Sequence, residues 1–381
     1  MRRRILLALL PVLLLLSGCG DRRTAIRDVR DLELISTLGV DKRDGQIVVT
    51  ASTGTDVGEK PAKVFTAAGE SLALAVEHLR RSYTKGEAFF AYTEHVLIGP
   101  DAWDVLPAAL DLVTRSTDMR LGVNLFLLTE GTAEDLMVNC QCDSTGVSDM
   151  LAAVAREAPR FGMGHVFTCG DVLSALAQRG CALVQTVRQA PAEELSEGAP
   201  KASVETGGFA VLKDGRVAGI ATREETAGMM LLMNLSENQT VALDGVTVEL
   251  TEATARFDAR ASGEIAVEVA AAATVVENAA GIAVSDPDSR ALLERKIALL
   301  LLGQIKSALS RAESLEADVC DIGRSLALAH PLGFAGQPAV RDVPGAAYSL
   351  RVTAAITRTY DVADPVPLTG QGEKGAGNAK R

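Results

Sequence analysis

The chain has 381 residues, enough for two or three domains of ordinary size, and 48% of them are hydrophobic, which supplies real cores and argues against a disordered protein. Its formal charge of −11 disfavours nucleic acid and gives no polybasic help toward anionic lipid. An aromatic content of 4% argues against a broad sugar- or base-stacking platform.

The N-terminus carries the sharpest pattern. Met1-Arg2-Arg3-Arg4 is positively charged, Ile5 to Leu16 is almost wholly apolar, and Leu16-Ser17-Gly18-Cys19 ends the run in small residues. This is the layout of a secretory signal peptide, with an apolar stretch well short of the roughly 20 residues of a spanning helix. Leu-Ser-Gly-Cys resembles the lipobox of bacterial lipoproteins. That resemblance implies cleavage before Cys19, a diacylglycerol on its thiol and an N-acyl chain on its amine. Two chains at about 0.8 kcal/mol per buried CH₂ hold a protein on a membrane stably. Removal of residues 1–18 leaves 35 basic against 49 acidic side chains, a net −14, so anchorage falls to the lipid. The other cysteines, Cys140, Cys142, Cys169, Cys181 and Cys320, are odd in number, which speaks against a disulfide scaffold while leaving one or two bridges open.

Residues 19–30 read as a charged tether. Strands are expected at Leu34–Val40 and Gln46–Ala51 around a turn at 41–45, and a helix where Leu72, Ala75, Val76, Leu79 and Tyr83 recur at helical spacing. A strand over Ala91–Ile98, a helix over Trp103–Arg115, a strand over Val123–Leu128 and a short helix from Thr132 follow. Pro191, Glu193, Glu194 and Pro200 mark 189–203 as a linker between domains at 31–188 and 204–366. Gly207–Leu212 and Val217–Ile220 flank an Asp-Gly turn, a hairpin signature, and a helix follows over Glu224–Leu235. Val246–Leu250, Ile265–Val269 and Tyr348–Ile356 alternate as half-buried antiparallel strands. Between them a long helix starts at Asp286-Pro287 and runs to Arg311. The Gly- and Lys-rich residues 367–381 read as a disordered tail. The fold class expected is therefore α+β: two or three mixed domains, with mainly antiparallel sheets and packed helices, behind a lipoprotein signal peptide.

Chemistry-bearing patterns are weak. Ser82-Tyr83-Thr84-Lys85 fits the S-x-x-K of acyl-transfer enzymes, yet it closes a helix and lacks the partner motifs. Cys140, Cys142, His165 and Cys169 can be drawn as a zinc set, but Cys-x-Cys spacing suits tetrahedral thiolates poorly. Asp41, Asp44 and Gly45 suggest a calcium loop whose twelfth position is Ser52 where a bidentate Glu belongs. Met229, Met230 and Met233 could offer an adaptable binding face, though core packing is the commoner fate. No catalytic residue, metal or further cofactor is expected.

In order and spacing over about 340 residues the chain resembles the spore-germination lipoproteins of the Ger(x)C family, the C subunits of nutrient germinant receptors. The resemblance rests on Cys19-Gly20-Asp21-Arg22-Arg23, Leu38-Gly39-Val40-Asp41-Lys42, and His95-Val96-Leu97-Ile98-Gly99. Arg115, Arg120 and Val123 continue it, with Gly131, Ala133, Asp135 and Leu136. Later it takes in Gly208-Phe209 through Val217-Ala218-Gly219, then Glu224-Glu225-Thr226-Ala227-Gly228. Asp321-Ile322-Gly323, His330-Pro331 and the strand Tyr348–Thr357 close it. Gly20 stands where the family has tryptophan, and Leu332, Gly333 and Phe334 stand near its usual aromatics. The resemblance implies a non-enzymatic subunit lipidated at Cys19, on the outer face of the membrane (the inner membrane of a spore), docked on polytopic A and B subunits. The alternative is an envelope lipoprotein that binds a solute or acts as an enzyme.

Overall fold

The computed structural model describes residues 32–54, 62–82, 87–142, 145–192, 200–260, 264–329 and 343–358. The signal peptide, Cys19 and its tether, Tyr83–Lys85, His330 and the tail lie outside them.

Strands β1 (Leu32–Arg43) and β2 (Gln46–Thr53) form a hairpin on Asp44-Gly45, both at positive φ, the backbone that an Asp-Gly turn supplies. The turn is tighter than the expected 41–45, because Asp41 is buried within β1. β3 (Val64–Gly69) pairs outside β2, and α1 (Leu72–Ser82) folds back beneath. The strand expected over Ala91–Ile98 begins later. After β4 (Glu87–Phe89) a 3₁₀ turn occupies Phe90–Tyr92, closed by the Thr93 N–H on the Phe90 carbonyl, and β5 covers His95–Ile98. Likewise the helix expected from Trp103 opens as a 3₁₀ segment, Pro100–Val105, before α2 (Leu106–Arg115).

β6 (Asn124–Leu128) leads through α3 (Ala133–Asn139), α4 (Val147–Glu157) and α5 (Cys169–Arg179) into β7 (Cys181–Pro191), and β8 (Ala202–Lys213) and β9 (Arg216–Ile220) follow. The first sheet has the order β3-β2-β1-β5-β6-β7-β8-β9, with β4 beside β1. Its centre, β1-β5-β6-β7, is parallel. Parallel strands lie buried on both faces and carry continuous apolar runs, as Val96-Leu97-Ile98 and Leu125–Leu128 do.

Alternation sends neighbouring residues to opposite faces. Val96, Ile98, Leu125 and Leu127 meet α1, α2 and α5 on one side. Leu97, Phe126, Leu128 and Val187 meet α3 and α4 on the other. Leu183, Phe209 and Val211 continue that second face into a third cluster, built with the C-terminal half.

That half contains α6 (Arg223–Leu232), β10 (Gln239–Leu243), β11 (Val246–Ala259), β12 (Ile265–Asn278), α7 (Pro287–Ser314), α8 (Ile322–Ala329) and β13 (Tyr348–Arg358). The second sheet runs β10-β11-β12-β13. The last pair is parallel, not antiparallel as expected, because α7 and α8 carry the chain back before β13 starts. Met229 and Met230 are fully buried, so these methionines are core, between the first sheet, β11 and α7.

The expected linker at 189–203 needs correction. β7 runs on through Pro191 and β8 resumes at Ala202, paired from Cys181↔Lys213 to Pro191↔Ala202. Pro191 ends a strand, where its missing N–H costs little. The boundary near residue 200 therefore falls inside a hairpin, and β8 and β9 complete the N-terminal sheet. The fold class is α+β as read from the sequence, with two sheets.

Candidate functional site

Three of the segments that carry the sequence resemblance meet at one point. Asp41 is 3% exposed, and its carboxylate accepts from the Ala133 N–H (2.8 Å) and the Glu134 N–H (3.0 Å) at the start of α3. A side chain on Gly99 would collide with Asp41, and a Cβ on Gly39 would stand 2.8 Å from Ala133 and Met137. Burial raises the Asp41 carboxyl above its ordinary value, and the two N–H groups oppose that rise. Asp41→Ala is expected to lose about 2 kcal/mol, since two buried donors lose their acceptor; Asp41→Asn, which keeps one, should lose less, as read from urea midpoints.

A second junction ties the halves. The Thr226 hydroxyl accepts from the Phe209 N–H (3.1 Å), hooking α6 under β8. Any side chain on Gly208 would strike Thr226 and the Ala221 carbonyl. Thr222 and Glu225 form a capping box at the start of α6. Below it Arg179, at the end of α5, pairs with Asp321 at 2.8 Å and donates to the Cys181 carbonyl at 3.2 Å. Asp318 accepts from the Ile322 and Gly323 N–H groups of α8, and burial raises its carboxyl. A cavity of about 260 Å³ lies at this seam, walled by His165, Asp171, Arg179, Met233, Asp321 and Arg324.

The zinc set does not assemble. Cys140 belongs to the cluster under α3 and α4, and Cys169 to the cluster on the opposite face. Burial pushes both thiols up to about 12 and Cys181 to about 11, and pushes Cys320 up as well, so they stay protonated and poorly nucleophilic. None of the five described cysteines forms a disulfide. Asp41 and Asp44 are strand and turn residues with no shared centre, and no group of three acidic, His or Cys side chains converges among the described residues.

A third feature lies at the start of β5. His95 is 2% exposed and stacks edge-on to Phe126. The Asn124 amide approaches its Nδ1 at 3.4 Å, and its Nε2 has no hydrogen-bond partner of normal geometry. Burial lowers the His95 pKa to about 4, with the Ser148 backbone and Asp149 acting against the shift. The ring borders an open cavity of about 580 Å³ with Glu94, Arg120, Gly122, Asn124, Ala152 and Arg156. His95 and Arg120 belong to segments that carry the resemblance, and nothing in their spacing announces that they share a cavity.

A mixed α+β protein of two halves locked through one strand hairpin is the class this architecture defines. The chain belongs to the spore germination GerAC family. Residues 26–189 match the spore germination protein N-terminal domain, and residues 207–359 match the spore germination B3/GerAC-like C-terminal domain. A solved structure described as the crystal structure of the GerBC protein aligns with a TM-score of 0.50 at 12% identity, over 84% of this chain and 96% of that one. No curated protein matches the sequence.

Proposed function

We propose that the protein is a lipid-anchored, non-enzymatic C subunit of a nutrient germinant receptor, required for the receptor to assemble and respond in spore germination. The observation that carries this reading is the ordered match of both family domains over 26–189 and 207–359. In this reading Cys19 bears the diacylglycerol and N-acyl chains and holds the folded body on the outer face of the membrane, the inner membrane in a spore. No helix among the described residues is long and apolar enough to cross a membrane, so attachment is assigned to the lipid. Confinement raises effective concentration, and modest contacts then suffice to hold polytopic A and B subunits.

The test is nutrient-triggered germination of spores lacking the gene, complemented with wild type or Cys19→Ala, alongside fatty-acid labelling of the protein. Wild type should restore germination and take up label, whereas Cys19→Ala should do neither well. An unlabelled protein that washes off membranes would overturn the anchor. Normal germination of the deletion strain with every nutrient, in a strain with no second receptor, would overturn the receptor role.

A further inference from the structure

We propose that the outer edge of β8, from Val204 to Thr206, docks an extended segment of a partner protein, added as a further strand with an acidic side chain toward Arg223. β9 covers only the far half of β8, pairing Ala210–Lys213 before the chain turns into α6. Beyond Ala210 no strand of the described residues lies on that side, while β7 stays paired on the other as far as Ala202.

The ladder fixes which backbone groups face out. The Thr129 N–H donates to the Val187 carbonyl, so Val187 turns its backbone toward β6 and away from β8. Val187 and Thr206 therefore face each other without hydrogen bonds, and in an antiparallel ladder such pairs alternate with bonded ones. Thr206 and Val204 thus point their N–H and C=O groups away from β7. None of these groups has a hydrogen-bond partner among the described residues. A groove of about 590 Å³ runs beside them, bounded by Met163, Ser203, Glu205, Gly207 and Arg223. Open backbone groups along a groove suit a peptide in extended conformation, whose own N–H and C=O groups complete the ladder.

Charge selects the partner's side chain. Arg223 is exposed at the start of α6 and enters no ion pair among the described residues, while Arg188 is held by Glu205 at 2.8 Å. A carboxylate on the added strand pairs with Arg223. A second copy of this chain fits less well, since two bodies of charge −11 repel each other. The edge lies between the two family matches, and the inference rests on neither the receptor role nor the anchor.

The test uses the purified full-length Cys19→Ser chain. Amide hydrogen exchange resolved to single residues should find Val204 and Thr206 unprotected and Glu205 protected. Fluorescence anisotropy then follows a labelled Ser-Thr-Val-Glu-Val-Thr-Ser peptide. Saturable binding is expected, lost when proline replaces the peptide's valines. Arg223→Glu, or lysine in place of the peptide's glutamate, should weaken it about tenfold. Glutamate is well placed at a helix start, so that variant should fold. Val204→Pro should abolish binding with the urea midpoint nearly kept, because the Val204 N–H makes no bond to β7. Protection of Val204 and Thr206 in the free chain, no saturable binding at millimolar peptide, or equal binding of the proline peptide overturns the site. Dimers seen by light scattering and abolished by Val204→Pro would overturn the foreign partner in favour of a second copy.

Discussion

Gly228→Val is expected to destabilise the protein by at least about 3 kcal/mol, measured as a fall in the urea midpoint. Gly228 sits where α6 crosses α7. A Cβ there would overlap the Gln304 carbonyl and stand 2.8 Å from the Ala308 Cβ, so backbone rather than a movable side-chain tip blocks it. Accommodation requires the two helices to part, and Met229, Met230, Leu231 and Leu232 would lose their packing with them. Gly303 in α7 is the internal control. Its Cβ would meet only Glu224, at 3.7 Å, so Gly303→Ala should hold stability or raise it by up to about 1 kcal/mol. Equal losses from both substitutions would mean that helix propensity, not the crossing, sets the requirement for glycine.

Acid should weaken the fold before ordinary carboxylates titrate, and His95 is the cause. Above about pH 6.5 the imidazole is neutral folded and unfolded, and it contributes nothing to the pH dependence. As pH falls from there the unfolded chain takes up a proton, while the folded chain resists until about 4. The unfolded state is favoured through that window, by about 3 kcal/mol at its lower end. Glu94, Asp149, Arg120 and Arg156 are the charged groups around the ring. Asp41 and Asp318, whose carboxyls are raised, act in the opposite sense as they protonate in the folded state. In urea titrations from about pH 7.5 to 4.5, His95→Gln should flatten the slope. An unchanged slope would place the acid sensitivity elsewhere.

Much of the framework was legible because local rules and tertiary structure agree. Asp286-Pro287 opens α7, and the Asp-Gly pairs close the β1-β2 and β8-β9 hairpins. What escaped was set by contacts distant in sequence. Ala91 and Tyr92 look like strand residues, but burial of Phe90 and the Glu94 N–H on the Ser36 carbonyl turn the chain there. The start of α5 carries a local signature, the capping box of Thr168 and Asp171. β7 and β8 stay paired as far as Pro191 and Ala202, and the paired acids Glu193 and Glu194 lie outside the described residues. The resemblance selected Gly39, Asp41, Gly99 and Ala133, and the fold explains them as one packed junction. It selected His95 and Arg120 as well, whose shared cavity depends on the parallel pairing of β5 with β6 and on α4 closing over them.

The position of β1 bears on how the body would carry load. It is an inner strand, hydrogen-bonded antiparallel to β2 on one side and parallel to β5 on the other. Tension drawn along the chain through Leu32 would therefore act lengthwise on two ladders at once. The bonds would have to slide together instead of peeling one by one, a loading geometry that resists extraction far better than a terminal edge strand would.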